Sequence, residues 1–174
     1  LLNNETHIAG YHASDQKSSK AIHQRLSKND IAIYPVMKRT QGFIVKKGNP
    51  LHIRSMEDLT NKKIRFINRQ IGSGTRLLLD TLLMEEGIDP LTINGYLHEE
   101  FTHSAIANAI LAGKADVGLG VKNIAIENGL GFVPLKDEIF FIAMSKEMTA
   151  QPESSKLIRK IRSYSGATPG YKSV

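Results

Sequence analysis

Apolar positions along this chain switch repeatedly between a two-residue and a 3.6-residue period, and each switch marks a change of element. The β-branched run Ile31-Ala32-Ile33-Tyr34-Pro35-Val36 predicts one strand, and Gly42-Phe43-Ile44-Val45 another, closed by the turn Lys47-Gly48-Asn49-Pro50. Thr6 to Gly10 reads as the end of a short buried strand. Asp15 to Leu26 reads as a polar-faced helix with Ala21, Ile22 and Leu26 turned inward. Ser55 with Asp58 marks the capped first turn of a short helix, and Lys63 to Ile67 is a further strand. After it, leucines at 78, 79, 82 and 83 fall on one helical face, and Gly87 is a natural stop. The theme then repeats. Thr102 or His103 caps a helix through Ile106, Ala109 and Ile110, followed by the glycine-rich strand Ala115 to Gly120. A short helix ends near Gly129, strands follow at 131–135 and 139–144, and Pro152-Glu153 opens a last helix through Leu157, Ile158 and Ile161. Strands alternating with helices predict an α/β fold with parallel-rich sheets and ligands beyond the carboxyl ends of the strands. No internal repeat is evident.

Composition narrows the function classes. The 174 residues include 41% hydrophobic positions, but no apolar run approaches the ~18 residues of a membrane span. Cysteine is absent, which removes disulfides, thiolate catalysis and Cys-based zinc sites. The formal charge of +6 favours anionic partners, yet the basic residues lie in small groups such as Lys38-Arg39 and Lys62-Lys63. No nucleic-acid motif accompanies them and tryptophan is absent, so direct nucleic-acid binding is not expected. No basic, apolar leader opens the sequence, and no membrane partner is expected.

The candidate chemistry sits between the strand ending near Ile67 and the helix after it. Gly72-Ser73-Gly74-Thr75 forms a glycine-hydroxyl loop at a helix N-terminus, where unpartnered N–H groups and the helix dipole favour an anion. Arg69, at the strand end, brings a fork of donors to the same point. Arg76 either joins it or projects into solvent. The loop lacks the lysine of a phosphate-binding P-loop and the third glycine of a dinucleotide fingerprint. His103, with Thr102 and Ser104, either lines a cleft or simply caps its helix. Gly118 and Gly120 either let backbone N–H groups face a ligand or allow close helix packing. Asp116 is read as structural, a partner for an arginine or a turn residue. Glu99 and Glu100 are adjacent and would point to opposite faces of a strand. His98 and His103 share no helical face, so no metal site and no cofactor are expected, and an enzyme would lack a base.

The stretches RFINRQIGSGTR (65–76), EEFTHSAIANAILAGKADVGLG (99–120) and TPGYKS (168–173) resemble a known family. It is the type II periplasmic-binding-protein-like domain of molybdate-responsive regulators, related to the molybdate- and tungstate-binding proteins of ABC transporters. THIAGYH (6–12) resembles that family's early strand, and GFIVKKGNP (42–50) its crossover between lobes. The resemblance implies a two-lobed fold that clamps a tetrahedral oxyanion between its lobes. Residues 1–61 would begin lobe one, 62–123 would form lobe two with the anion loop, and 124–174 would return to lobe one. Its anion contacts carry over to Arg69, Ser73, Gly74 and Thr75.

The same resemblance implies a non-enzymatic sensor for molybdate or tungstate, coupled to a fused DNA-binding or molybdenum-cofactor domain in the cytoplasm. The alternative is a solute-binding receptor for phosphate or a similar oxyanion. Two earlier anion loops of the family lie upstream of the region where this sequence starts. A lobe lacking its first strands would expose an edge, which predicts a homodimer.

Overall fold

The structure, a computed structural model, describes residues 1–3, 5–13 and 16–174. In chain order its strands are β1 (Ile8–Ala13), β2 (Ile31–Val45), β3 (Phe66–Arg69), β4 (Glu99–Glu100), β5 (Val117–Val121), β6 (Gly131–Ser145) and β7 (Tyr171–Lys172). The α-helices are α1 (Gln16–Ser27), α2 (Gly74–Glu85), α3 (His103–Leu111), α4 (Lys122–Glu127), α5 (Lys146–Thr149) and α6 (Pro152–Ala167). This is an α/β fold. Its contacts form two units, one from Leu1–Arg39 with Asp137–Val174 and one from Thr40–Lys136. The expected lobe boundaries at 61 and 123 differ from these, because residues 40–61 and 124–136 pack with the second unit.

In the second unit the strands run in the order β2, β5, β3, β4. β3 is parallel to both β5 and β4, while β2 is antiparallel to β5. The alternation along β2 sends Phe43 and Val45 into one cluster with Leu78, Leu79 and Leu83 of α2. Ile44 between them joins Ile106 and Ile110 of α3 and Ala125 of α4 in another. Helices therefore cover both faces of this sheet, as a buried parallel core requires. Leu79 is fully buried, so its truncation to alanine should cost about 2–5 kcal/mol.

The first unit is built differently. β1 pairs antiparallel with 139–144 of β6, and β7 pairs antiparallel with Lys38 and Arg39 of β2. Val36, Ile142 and Met144 pack with Ile158 of α6, while Leu26 of α1 packs with Ile31 and Ala143. Ala21 and Ile22, expected inward on α1, are exposed. The helix instead turns His23 edge-on to Phe141, with ring centroids 4.7 Å apart.

Two further expectations are corrected. The sheets are mixed rather than parallel-rich, since every described pairing of the first unit is antiparallel. The predicted strands at 31–36 and 42–45 are one fifteen-residue strand, and those at 131–135 and 139–144 are likewise one. The intervening charges read as breaks, but they pair across the ladder. Lys38 Nζ lies 2.9 Å from Asp137 Oδ2, and Arg39 Nε donates to the buried carboxylate of Glu138.

Candidate ligand-binding site

The three parallel strands of the second unit deliver their carboxyl ends to one side. Arg69 ends β3 beside Glu100 of β4, and Val121 ends β5 opposite Gln41 of β2. β3 leads through a short turn into α2, and β4 leads into α3. Helix starts gathered at strand ends are where such sheets bind ligands.

The turn before α2 depends on Gly72, whose φ of 87° lies where a Cβ is strained. Ser73 then caps the helix, its Oγ accepting the Arg76 N–H at 3.1 Å. That bond leaves the Ser73 hydroxyl proton for another acceptor. The N–H groups of Gly74 and Thr75 occupy the first turn, where no carbonyl of the helix receives them. No acidic residue stands in that turn to oppose an anion. Arg69 is 8% exposed, and its Nε and Nη2 donate at 3.0 Å to Gln70 Oε1 and to the Phe101 carbonyl. Both acceptors are neutral, and these two bonds orient the guanidinium. Ser73, Gly74 and Thr75 are thus brought together at one helix start, with Arg69 at the strand end that feeds it.

Arg76 is neither in solvent nor presented to a ligand. It is 6% exposed, with Nε 3.0 Å from Asp80 Oδ1 and Nη1 2.9 Å from Glu99 Oε1. Its guanidinium carbon sits 4.3 Å from the Tyr96 ring centroid, and the Tyr96 hydroxyl donates to Asp80 at 2.7 Å. Burial alone would depress the Arg76 pKa, but its bonds with Tyr96 and Asp80 outweigh that and hold it above the ordinary value. Burial likewise raises the Tyr96 phenol, and its bond to Asp80 adds to the effect. Arg76 is therefore a committed charge that fixes the first turns of α2.

Thr102, rather than His103, caps α3, accepting the Ala105 N–H at 3.0 Å. His103 is the first helical residue, and its Nδ1 would lie 3.5 Å from a Cβ placed on Gly120. At Gly118 a Cβ would come within 2.6 Å of Ile106 Cγ2 and 2.8 Å of the Ile67 carbonyl. Of its two readings, the geometry supplies the packing one, since α3 can approach the sheet only if residue 118 lacks a side chain. Asp116 pairs with Arg65, its Oδ2 and Oδ1 accepting from Nε at 3.0 Å and Nη2 at 2.7 Å. Bonds from Arg65 lower the Asp116 pKa. Among the described residues no group of three or more His, Asp or Glu gathers as a metal site, and no helix is long and apolar enough to cross a membrane.

Sequence reasoning missed Gln41, which is fully buried and accepts a 2.8 Å hydrogen bond from Thr75 Oγ1. It also missed the role of Tyr96 and the buried Asn123 Oδ1, an acceptor without a hydrogen-bond partner among the described residues. Gln41 carried no signal because it stands in the polar stretch that read as a strand break.

A family model for the PBP superfamily domain matches residues 1–162. The chain belongs to the PBP superfamily. Among curated relatives, protein YvgK of Bacillus subtilis is 35% identical to this PBP domain over 132 residues, covering 76% of the chain and 43% of the relative. A Clostridium pasteurianum protein encoded in the 5′ region of a ferredoxin gene is 34% identical over 77 residues, 44% of the chain and 68% of the relative. The PBP domain thus spans less than half the length of YvgK. Among solved structures it is similar to the regulatory domain of MetR, a LysR-family regulator from N. meningitidis. That match has a TM-score of 0.70 at 15% identity, covering all of the chain and 80% of the neighbour. L-phospholactate-bound PEB3 matches with a TM-score of 0.60 at 22% identity, covering 99% and 82%. The amino-acid ABC transporter extracellular-binding protein ytmK of Bacillus subtilis, so named as probable, matches at 0.63 and 16%, covering 98% and 74%. The fold is that of a ligand-binding domain, shared by regulators and by transport receptors.

Proposed function

We propose that this domain is a non-enzymatic sensor for a tetrahedral oxyanion, molybdate or tungstate, read out by a fused or partner regulatory domain in the cytoplasm. The observation that carries the reading is the start of α2. There the Ser73 hydroxyl proton and two N–H groups follow the strand end that carries the buried Arg69, and two nearby acids are occupied elsewhere. Asp80 and Glu99 are held by Arg76. A helix start that offers donors and has no acid in its first turn suits an oxyanion that carries no proton. Hydrogenphosphate would have to place its own O–H on a neutral hydroxyl oxygen, a weaker acceptor than a carboxylate. Likeness to the regulatory domain of MetR supports a sensory role.

The second reading is a solute-binding receptor for phosphate or a similar oxyanion. It draws on the L-phospholactate named for PEB3 and, for the receptor role alone, on the likeness to ytmK, which is named as an amino-acid binding protein. Calorimetric titration with molybdate, tungstate, sulfate and phosphate separates the two. Micromolar or tighter molybdate or tungstate binding, with sulfate and phosphate silent, is expected, and selective phosphate binding would favour the receptor. Arg69→Ala should weaken the bound anion by about 2–5 kcal/mol. Unchanged affinity in both Arg69→Ala and Thr75→Ala would remove this loop as the site. The homodimer is tested by light scattering on the same sample, where a monodisperse monomer would exclude it.

A further inference from the structure

The two hydroxyls of the anion loop are not equivalent. Ser73 Oγ accepts a backbone N–H, so its proton remains available to a ligand. Thr75 has a single proton as well, and it donates that proton to Gln41 Oε1 at 2.8 Å. Both partners are almost fully buried, Thr75 at 3% and Gln41 at 0% exposure, so water does not compete for the bond. Gln41 lies opposite Val121, at the carboxyl end of β5, on the side where β3 and β4 also end. A ligand at the start of α2 therefore meets a threonine whose donor is already in use.

We propose that Gln41 is a positioning residue that sets affinity and selectivity at this site by competing with the ligand for the Thr75 hydroxyl proton. The inference rests on the oxyanion reading above. Only an acceptor stronger than an amide oxygen recovers that proton. A dianionic oxygen does so, because charge-assisted hydrogen bonds are about twice as strong as neutral ones. A neutral carbonyl or ester oxygen matches the amide it would replace and gains nothing. The pair is therefore a threshold that admits fully ionised oxyanions and turns away neutral polar ligands of similar size. An oxyanion oxygen that carries its own proton can instead donate to a Thr75 lone pair and leaves the threshold untouched.

The test is a double-mutant cycle read by calorimetry with molybdate and tungstate, accompanied by thermal melts. Gln41→Met removes the competing oxygen at nearly constant length, and the oxyanion Kd should tighten about three- to tenfold. Thr75→Val removes the contested proton and should weaken binding. In that background Gln41→Met should change the Kd no further. A merely structural role for Gln41 would shift affinity equally with and without the Thr75 hydroxyl, and that result overturns the proposal, as does weaker or unchanged binding in Gln41→Met. Should Gln41→Met melt too low to titrate, Gln41→Glu serves instead. Its charge repels the anion in both backgrounds, and the extra loss in the presence of Thr75 measures the competition; an equal loss in both overturns it. Silence of the unsubstituted chain toward both anions would sink the oxyanion reading and this inference together. Binding by the unsubstituted chain with an uncoupled cycle would sink the inference alone.

Discussion

Two helix starts of the second unit differ from two of the first in whether they carry an acid. In the second unit α2 and α3 begin with Ser73 and Thr102 as caps, and neither has an acid in its first turn. In the first unit α5, although capped by Ser145, and α6, which opens on Pro152 with no side-chain cap, carry Glu147 and Glu153 in their first turns. A carboxylate in the first turn satisfies the positive end of the helix dipole from within, whereas a hydroxyl cap leaves that potential directed outward. Both arrangements stabilise a helix, but only the second leaves it able to receive a foreign anion. An amphipathic pattern is the same in both cases, so the distinction lies in one or two residues at each start.

The sharpest way to break this contrast is Ser73→Asp, which gives α2 an internal anion. Aspartate is as good a cap as serine, so the melting midpoint should stay within about 2 °C. Oxyanion affinity should fall at least about a hundredfold, since like charges brought together cost several kcal/mol; binding that survives would refute the role given to this helix start. Next in size is Arg76→Met, which leaves Asp80 and Glu99 without their shared cation. Those carboxylates are 39% and 28% exposed, so the loss should fall below that of a fully buried pair, at about 2–3 kcal/mol. Thermal melts should read this as roughly 4–12 °C.

A smaller effect is expected at Asp116→Asn. The Asp116 pKa is depressed in the fold, so its contribution is present above the unfolded value near ~3.9 and is lost as pH falls through the folded one. The half-exposed Arg65 limits that contribution to about 1 kcal/mol at neutral pH. Denaturant midpoints of the variant and parent should differ at pH 7 and converge below the folded pKa; a gap that persists in acid would point to packing instead. The smallest change is Glu153→Gln in α6, expected to cost about 0.3–1 kcal/mol and to leave oxyanion affinity unaltered. Altered affinity there would mean that the contrast between the units is not the operative one.

Much of this was legible in the chain itself. Helical spacing at 78, 79, 82 and 83 located α2, and the Arg69-to-Arg76 stretch located the glycine-hydroxyl turn that starts it, because both signals are local. What escaped reading depends on residues distant in sequence. Lys38 to Gln41 look like a break until Asp137, Glu138 and Thr75 supply partners for the charges and the amide. Arg76 looked like a ligand contact because nothing within the loop shows that Tyr96 and Glu99 hold it. Asp116 could be judged structural, but its partner Arg65 lies 51 positions away. Ala21 and Ile22 mark the converse error, since a local pattern chose an inward face that the packing did not use.

The division of the chain into one continuous and one interrupted unit also sets an order of events during synthesis. Residues 40–136 emerge as a single stretch and can assemble as soon as they leave the ribosome. β1 is made earlier, but its partner segment, 139–144, follows roughly 130 residues later. At ~5–20 residues per second that delay is about 6–26 s, during which the edge of β1 stays open to other chains. The nascent first unit is therefore the segment expected to need a chaperone.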